Sequence, residues 1–389
     1  MSTLKVDAIR HNSATSDAIT TAADGTCTAK LTSVGGGGLS HRNKVHNGSM
    51  IISQRYGTTA YTSPNSSKNY TIDRWAYWSN QASKASVQQV TDAPVGFYNS
   101  AKCTSLAATT AANGDWFGYL TSIEGQDIYD LAQGTANAKS FTLSFYVKSS
   151  VTGTWVGAIR AKASSPGRSY PFNYTISSAN TWERKSITIS GSTDGTWATG
   201  NSEGMNIWFD LGSGSTFHQT ANQWYSGNAT GASASPFIAV NGATWLITGV
   251  QLEVGDTATS FEHRSYAEEL ARCQRYFYQY VDASLYGSGI APLCVVIGYQ
   301  NNNAFGTTEF PVTMRSTPTL VHVEGTGFFK ILRNAGTGDL NAFTLHNIGR
   351  NSAAINAYNA SSGTSIAQDQ VGLMQTNDTS CRVGFNAEL

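Results

Sequence analysis

A mainly β chain, with a sandwich or jelly roll at its centre, is predicted from three features of the 389 residues. Apolar positions alternate in short runs, turn-forming Gly, Asn, Asp and Ser separate those runs, and helical periodicity is confined to one stretch. "FTLSFYVKS" puts Phe141, Leu143, Phe145 and Val147 on one face. "KSITIS" offers Ile187 and Ile189, and "MNIWFDL" offers Met205, Ile207, Phe209 and Leu211. "TWLITGVQLEV" reads as Leu246, Val250, Leu252 and Val254 on one side, with Trp245 and Ile247 on the other. No strand–helix–strand alternation occurs, which excludes a parallel α/β fold.

The helical stretch is "TSFEHRSYAEELARCQRYFYQY", Thr259 to Tyr280. Ser265-Tyr266-Ala267-Glu268 has the form of a capping box, in which side chains satisfy free amides at a helix start. Tyr266, Leu270, Cys273 and Phe277 recur at helical spacing and form an apolar stripe. Glu268 and Arg272 are an i,i+4 ion pair in the favourable orientation. Beyond it, "APLCVVIGYQ", "TEFPVTMR", "TPTLVHVE", "GFFKILR" and "CRVGFNAEL" read as strands of a second β region.

Other boundaries follow from composition. All nine tryptophans lie between Trp75 and Trp245. Gly35 to Gly38 read as a flexible joint rather than a phosphate loop, because no Lys-Ser/Thr follows. The division is therefore 1–40, an N-terminal segment with its glycine linker; 41–262, the sandwich; 263–280, the connecting helix; and 281–389, a C-terminal β domain.

Charge and motifs narrow the function. The 25 basic and 25 acidic residues cancel, with no sustained run of either sign. That opposes a nucleic-acid partner held by phosphate neutralisation and any anionic-membrane anchor. No apolar run is long enough to span a bilayer. Five widely spaced cysteines without a C-x-x-C pair favour neither a zinc site nor a disulfide framework, and the polar residues after Met1 do not form a leader. Synthesis in a reducing cytoplasm without a standard export signal is expected.

The acidic stretch "IEGQDIYD" (Glu124, Asp127, Asp130) reads as a solvated loop rather than the opposed carboxylate pair of a glycosidase. No catalytic residues and no enzyme activity are expected. Aromatic residues among turns are the candidates for stacking on a sugar: Trp116 and Tyr119 in "NGDWFGYL", Trp197 in "DGTWATG", and Trp224 and Tyr225 in "NQWYSGN".

"GVQLEVGDTATSFEHRSYAEELARCQRYFY" closely resembles a junction of bacteriophage tail fibres and minor virion structural proteins. There a last sandwich strand, G-V-Q-L-E-x-G, passes into T-x-F-E-x-R-x-Y-x-E-E-L-x-x-C-Q-R-Y-Y/F. "NGSMIISQRYG" and "YTIDRWAYW" resemble the opening strands of the same domain, a jelly roll similar to carbohydrate-binding modules. "DLAQGTANAKSFTLSFYVKSS" resembles its central strands, and "FPVTMRSTPTLVHV" a segment of the fibres' C-terminal domains. "STLKVDAIRHNSATSDAIT" is similar to particle-proximal fibre ends.

The resemblance implies a homotrimeric tail fibre located on the virion and made in the bacterial host cytoplasm. Its N-terminal segment would dock to other tail proteins, and its C-terminal domain would be the tip that meets a host-surface glycan or protein. Tyr266, Leu270, Cys273 and Phe277 would then meet their copies at a three-fold axis, with Glu268, Glu269, Arg272 and Arg275 setting register. No cofactor is expected, apart from a structural calcium that the resemblance places near Asn47 and Glu253, with Ser49 where an acidic residue often stands. The alternatives are a head- or tail-decorating protein that binds no receptor, and a polysaccharide depolymerase spike.

Overall fold

Alternation along the strands becomes two facing sheets in the computed structural model. It describes residues 6–10, 19–25, 27–29, 40–63, 67–161, 167–232, 237–300, 303–323, 325, 327–333, 336–340, 342–358 and 366–389. The glycine joint at Gly35 to Gly38 lies outside the described residues. Before it, β1 (Ala8–Ile9), β2 (Ile19–Thr21) and β3 (Cys27–Ala29) form a small antiparallel sheet with exposed positions on its first two strands.

The central region is a jelly-roll β-sandwich. Its strands are β4 (Tyr61–Thr62), β5 (Asn69–Tyr70), β6 (Trp75–Ser79), β7 (Ala85–Val90), β8 (Ser100–Ser105), β9 (Phe117–Glu124) and β10 (Phe141–Ser149). They continue with β11 (Gly153–Ala161), β12 (Arg168–Ile176), β13 (Glu183–Ile189), β14 (Glu203–Asp210), β15 (Tyr225–Ser226) and β16 (Thr244–Val254). One sheet runs β13-β10-β16-β8-β7-β4 and the other β15-β12-β11-β14-β9-β6-β5. Inward residues of both sheets make one core. Its centre is aromatic: Trp75 stacks on Tyr119 at 5.5 Å, Phe209 lies 5.6 Å from Trp245, and Phe145 meets Phe209 edge-on at 5.1 Å. Each such pair adds about 0.5–1.5 kcal/mol beyond its buried area.

Strand β16 departs from the sequence expectation. Trp245 and Ile247 face the same core as Val250, Leu252 and Val254, while Leu246 points away. Gly249, at φ 62°, is the reason. The pairing of β10 with β16 slips there, from Ser144 opposite Gln251 to Tyr146 opposite Thr248, and a bulge reverses the side-chain alternation. "NGSMIISQRYG" also differs from expectation. It forms turns rather than strands, with Asn47 and Met50 at positive φ.

The helix α1 (Tyr266–Gln274) starts where the capping box predicts, with the Ser265 side chain accepting from the Glu268 amide. The chain then enters β17 (Phe277–Asp282) and a second β unit with β18 (Pro292–Gln300), β19 (Asn303–Glu309), β20 (Thr319–Val323) and β21 (Phe329–Arg333). Its remaining strands are β22 (Gly336–Leu340), β23 (Ala342–Ile348), β24 (Ser352–Tyr358), β25 (Val371–Thr376) and β26 (Arg382–Asn386). A three-stranded sheet, β17-β26-β20, accompanies a seven-stranded one, β22-β21-β25-β18-β19-β24-β23. Val296, Ile331, Ile355, Met374 and Val383 are buried in its core. Among the described residues no helix is long and apolar enough to cross a membrane.

Candidate functional site

The charged junction motif is an internal brace. The Glu262 carboxylate accepts the backbone amides of Arg42 and Asn43, at 3.2 and 3.0 Å. Arg264 donates to the carbonyls of Val45 and Asn43. Glu269, 4% exposed, accepts the Asn47 amide. Arg275 makes a two-pronged contact with Glu124, at 2.8 and 2.9 Å, and the Tyr276 hydroxyl donates to the same fully buried carboxylate. Arg74, itself buried, lies 3.4 Å over the Tyr276 ring and pairs with Glu388 from the far end of the chain. Sandwich, helix and C-terminal unit are thereby tied at one place.

This corrects the expected trimer stripe. Cys273 and Phe277 are buried inside the chain, at 1% and 2% exposure, and Phe277 belongs to β17 because the helix ends at Gln274. Tyr266 is exposed and Leu270 half-buried, so the four residues share no surface. Glu269 and Arg275, expected to set register between copies, are spent on Asn47 and Glu124. Only Glu268 and Arg272 of that group form the expected surface pair, at 3.0 Å.

The residues proposed for calcium do not fit it. The Asn47 side chain donates to the carbonyls of Ile52 and Asp73 and accepts the Ile52 amide. Glu253 accepts the Thr259 amide, the Thr259 hydroxyl and the Gln251 amide group. Their oxygens are already engaged by protein donors, and among the described residues no group of three or more His, Cys, Asp or Glu could hold a metal ion. In the acidic stretch, Glu124 is the anchor just described, Asp130 pairs with Lys44 at 2.7 Å, and Asp127 lies 3.9 Å from His46.

A different feature has the character of a ligand site. On the outward face of the sandwich's seven-stranded sheet, tryptophans gather where water-facing polar residues are the rule. Alternation explains their direction. In β6 Trp75 and Tyr77 point into the core, so Trp78 points out; in β14 Ile207 and Phe209 point in, so Trp208 points out. Trp208 stands opposite Leu120, which stands opposite Ala76. Gly118 makes room for the indole, because a Cβ there would lie 2.2 Å from Cζ2 of Trp208. The Trp208 Nε1–H donates to Asp210 at 3.0 Å, and Asp210 is fixed in turn by the amides of Gly212 and Ser213.

Around Trp208 the walls are aromatic. Trp78 meets it edge-on at 6.3 Å, Trp116 meets Trp78 at 6.5 Å, and Phe217 meets Trp116 at 6.3 Å. The Arg160 guanidinium lies 4.2 Å over the Trp208 ring, with Nε donating to the Ala229 carbonyl. Burial pushes its pKa down to about 10, partly offset by Asp210 and Glu203, so it remains a cation at neutral pH. With Asn228 these residues line a cavity of about 220 Å³. The Trp116 Nε1–H is buried without a hydrogen-bond partner among the described residues. Leaving such a donor unmet costs about 1–3 kcal/mol. The site therefore combines flat apolar faces with donors, as a hydroxylated ring requires. Among the described residues that line it, none is a carboxylate.

Of the five aromatic residues named from the sequence, the structure places Trp116 at this cavity. Tyr119 is in the core. Trp197 and Trp224 meet edge-on at 5.7 Å elsewhere on the sandwich, their indole N–H groups given to the carbonyls of Asp194 and Ser190. The Tyr225 hydroxyl accepts from Gln223. Trp78 and Trp208 were missed although the alternation in "RWAYW" and "MNIWFDL" exposes them as the out-of-phase positions.

No protein-family model matches the chain, and no curated protein matches it. Among solved structures it aligns with the enzymatically active domain of tailspike protein 4 from bacteriophage CBA120, at 15% identity and TM-score 0.30, over 55% of this chain and 21% of that one. It also aligns with the family 11 carbohydrate-binding module of a Clostridium thermocellum cellulosomal cellulase, at 14% identity and TM-score 0.26, over 54% and 99% of the two chains. A xylan-binding domain from Paenibacillus barcinonensis aligns at 11% identity and TM-score 0.25, over 52% and 99%. The chain thus spans about a fifth of the tailspike domain and nearly all of either binding module. At such similarity neither ligand nor role transfers from these proteins.

Proposed function

We propose that this chain is a non-enzymatic virion structural protein, a homotrimeric tail fibre whose sandwich holds a host-surface glycan in the Trp78–Trp116–Trp208 cavity. The cavity is the observation that carries the binding role. Trp78 and Trp116 are half-buried over the buried Trp208, with the Arg160 cation beside it, in an apolar cluster separate from the main sandwich core, and aromatic faces with a few donors suit a sugar ring. At about 220 Å³ the cavity is smaller than the ~300–1,000 Å³ of usual ligand pockets, which limits it to one ring of a chain. The virion assignment is supported by the junction motif, whose residues prove to be an architectural brace. Docking to the particle through residues 1–40 completes this reading.

The test is adsorption. Purified chain should bind host cells, block infection by the parent particle, and lose both properties in Trp78→Ala. Retained adsorption in that variant would remove the cavity from the account. Absence of adsorption by the unaltered chain would favour a decorating protein, and clearing of a host lawn would mark a depolymerase.

A further inference from the structure

The C-terminal seven-stranded sheet breaks the usual rule for a sheet packed on one side. Its outer face should be polar. Instead β18, the fourth of its seven strands, turns Val295, Ile297 and Tyr299 outward at 61%, 52% and 63% exposure. Beside them, Val371 of β25 stands opposite Ile297 at 59% exposure, and Leu332 of β21 follows at 47%. On the other flank Phe305 of β19 also stands opposite Ile297 and packs edge-on against Tyr299 at 5.4 Å. The inward residues of the same strands, Val296, Ile331 and Met374, are fully buried, so the pattern is a second apolar face rather than a misplaced core. Together the outward side chains expose on the order of 500 Å², the size of the largest apolar patch on a typical monomer, which is often functional, and more than half of what one partner contributes to a standard interface.

We propose that a second copy of this chain covers this face, related by a rotation axis parallel to β18. Such an axis keeps every residue at its own height and brings the β21 flank of one sheet against the β19 flank of the next. The charges on the two flanks are placed for that. Lys330 of β21 is level with Gln375, which is level with Pro292; Asp339 of β22 stands on its far side. Glu309 of β19 lies three residues beyond Gly306, the partner of Val296, and so reaches the level of Leu293. Opposite charges therefore stand at nearly one height on opposite flanks, about 14 Å apart at three strand spacings. Rotation brings Lys330 of one copy towards Glu309 of the next and lays the uncharged middle strands against each other. Zero formal net charge on the chain removes long-range repulsion between copies. This deepens the multimeric reading given above and rests on it for copy number.

Sedimentation of the full chain tests it. The unaltered protein should run as a multiple of 41.5 kDa. Ile297→Lys should run as a single chain, with association weakened at least tenfold and its melting profile intact, whereas Leu270→Glu should stay assembled. Glu309→Lys should weaken assembly, and adding Lys330→Glu should restore it, which a folding defect would not do. A multimer that survives Ile297→Lys, or a charge pair that fails to rescue, would overturn the face while leaving the multimer standing. A single-chain wild type would overturn both, with the sugar cavity unaffected.

Discussion

Replacing Arg275 with alanine strands a carboxylate, and the cost can be worked from the contacts. Glu124 is fully buried and accepts Nε and Nη2 of Arg275 at 2.8 and 2.9 Å. Removing one member of a buried pair costs about 3–5 kcal/mol. Arg275 is 22% exposed on its side chain, and the Tyr276 hydroxyl and the Gln126 amide group still donate to Glu124 afterwards. The loss should fall near the low end, about 3 kcal/mol. Glu124→Gln removes the charge that would be stranded, so the double variant should lose only about 1 kcal/mol, about 2 kcal/mol less than Arg275→Ala alone. Urea unfolding followed by tryptophan emission is the assay, because all nine tryptophans lie between Trp75 and Trp245 and report on the sandwich. A loss below about 1 kcal/mol in Arg275→Ala, or a double variant no more stable than the single, would refute the anchor.

Two further outcomes follow from single positions. Gly118→Val should drive the Trp208 indole from its place, since even a Cβ would sit 2.2 Å from it; about 1–3 kcal/mol of stability and all binding at the cavity should be lost together. His46 gives a pH dependence. Burial first, then the positive charges of Arg74, Arg272, Arg264 and Arg275, hold its pKa well below the usual 6.5. The unfolded chain therefore binds the proton first, so His46 stabilises fully above pH 6.5 and progressively less as pH falls towards its folded pKa. Unfolding midpoints between pH 7.5 and 5.5 should fall less steeply in His46→Gln than in the unaltered chain; parallel slopes would contradict the assignment.

The strands and the helix start were legible because each rests on local periodicity. Phe141, Leu143, Phe145 and Val147 alternate without interruption, and Ser265 with Glu268 caps the helix through neighbours three residues apart. What the sequence hid was long-range or conformational. The bulge at Gly249 reverses alternation within β16, and only the left-handed backbone there reveals it. Phe277 continues the helical spacing of Tyr266, Leu270 and Cys273, yet Arg275 and Tyr276 are pulled onto Glu124, some 150 positions away in the chain, and the helix stops first. The charges of the motif read as register-setting contacts between copies for the same reason: the partners of Glu262, Arg264, Glu269 and Arg275, at Arg42, Asn43, Val45, Asn47 and Glu124, are distant in sequence. The cavity was half visible. Trp116 stood out among turn residues, whereas Trp78 and Trp208 sit inside strands and read as core until the two faces are told apart.

The most direct measurement is calorimetric titration of the unaltered chain and of Trp78→Ala with a panel of short neutral and acidic oligosaccharides. The account predicts saturable binding of at least one sugar by the unaltered chain, quenching of tryptophan emission on binding, and at least a tenfold loss of affinity in Trp78→Ala. Equal affinity in the two proteins, or binding without any change in tryptophan emission, would contradict a sugar site at Trp78, Trp116 and Trp208.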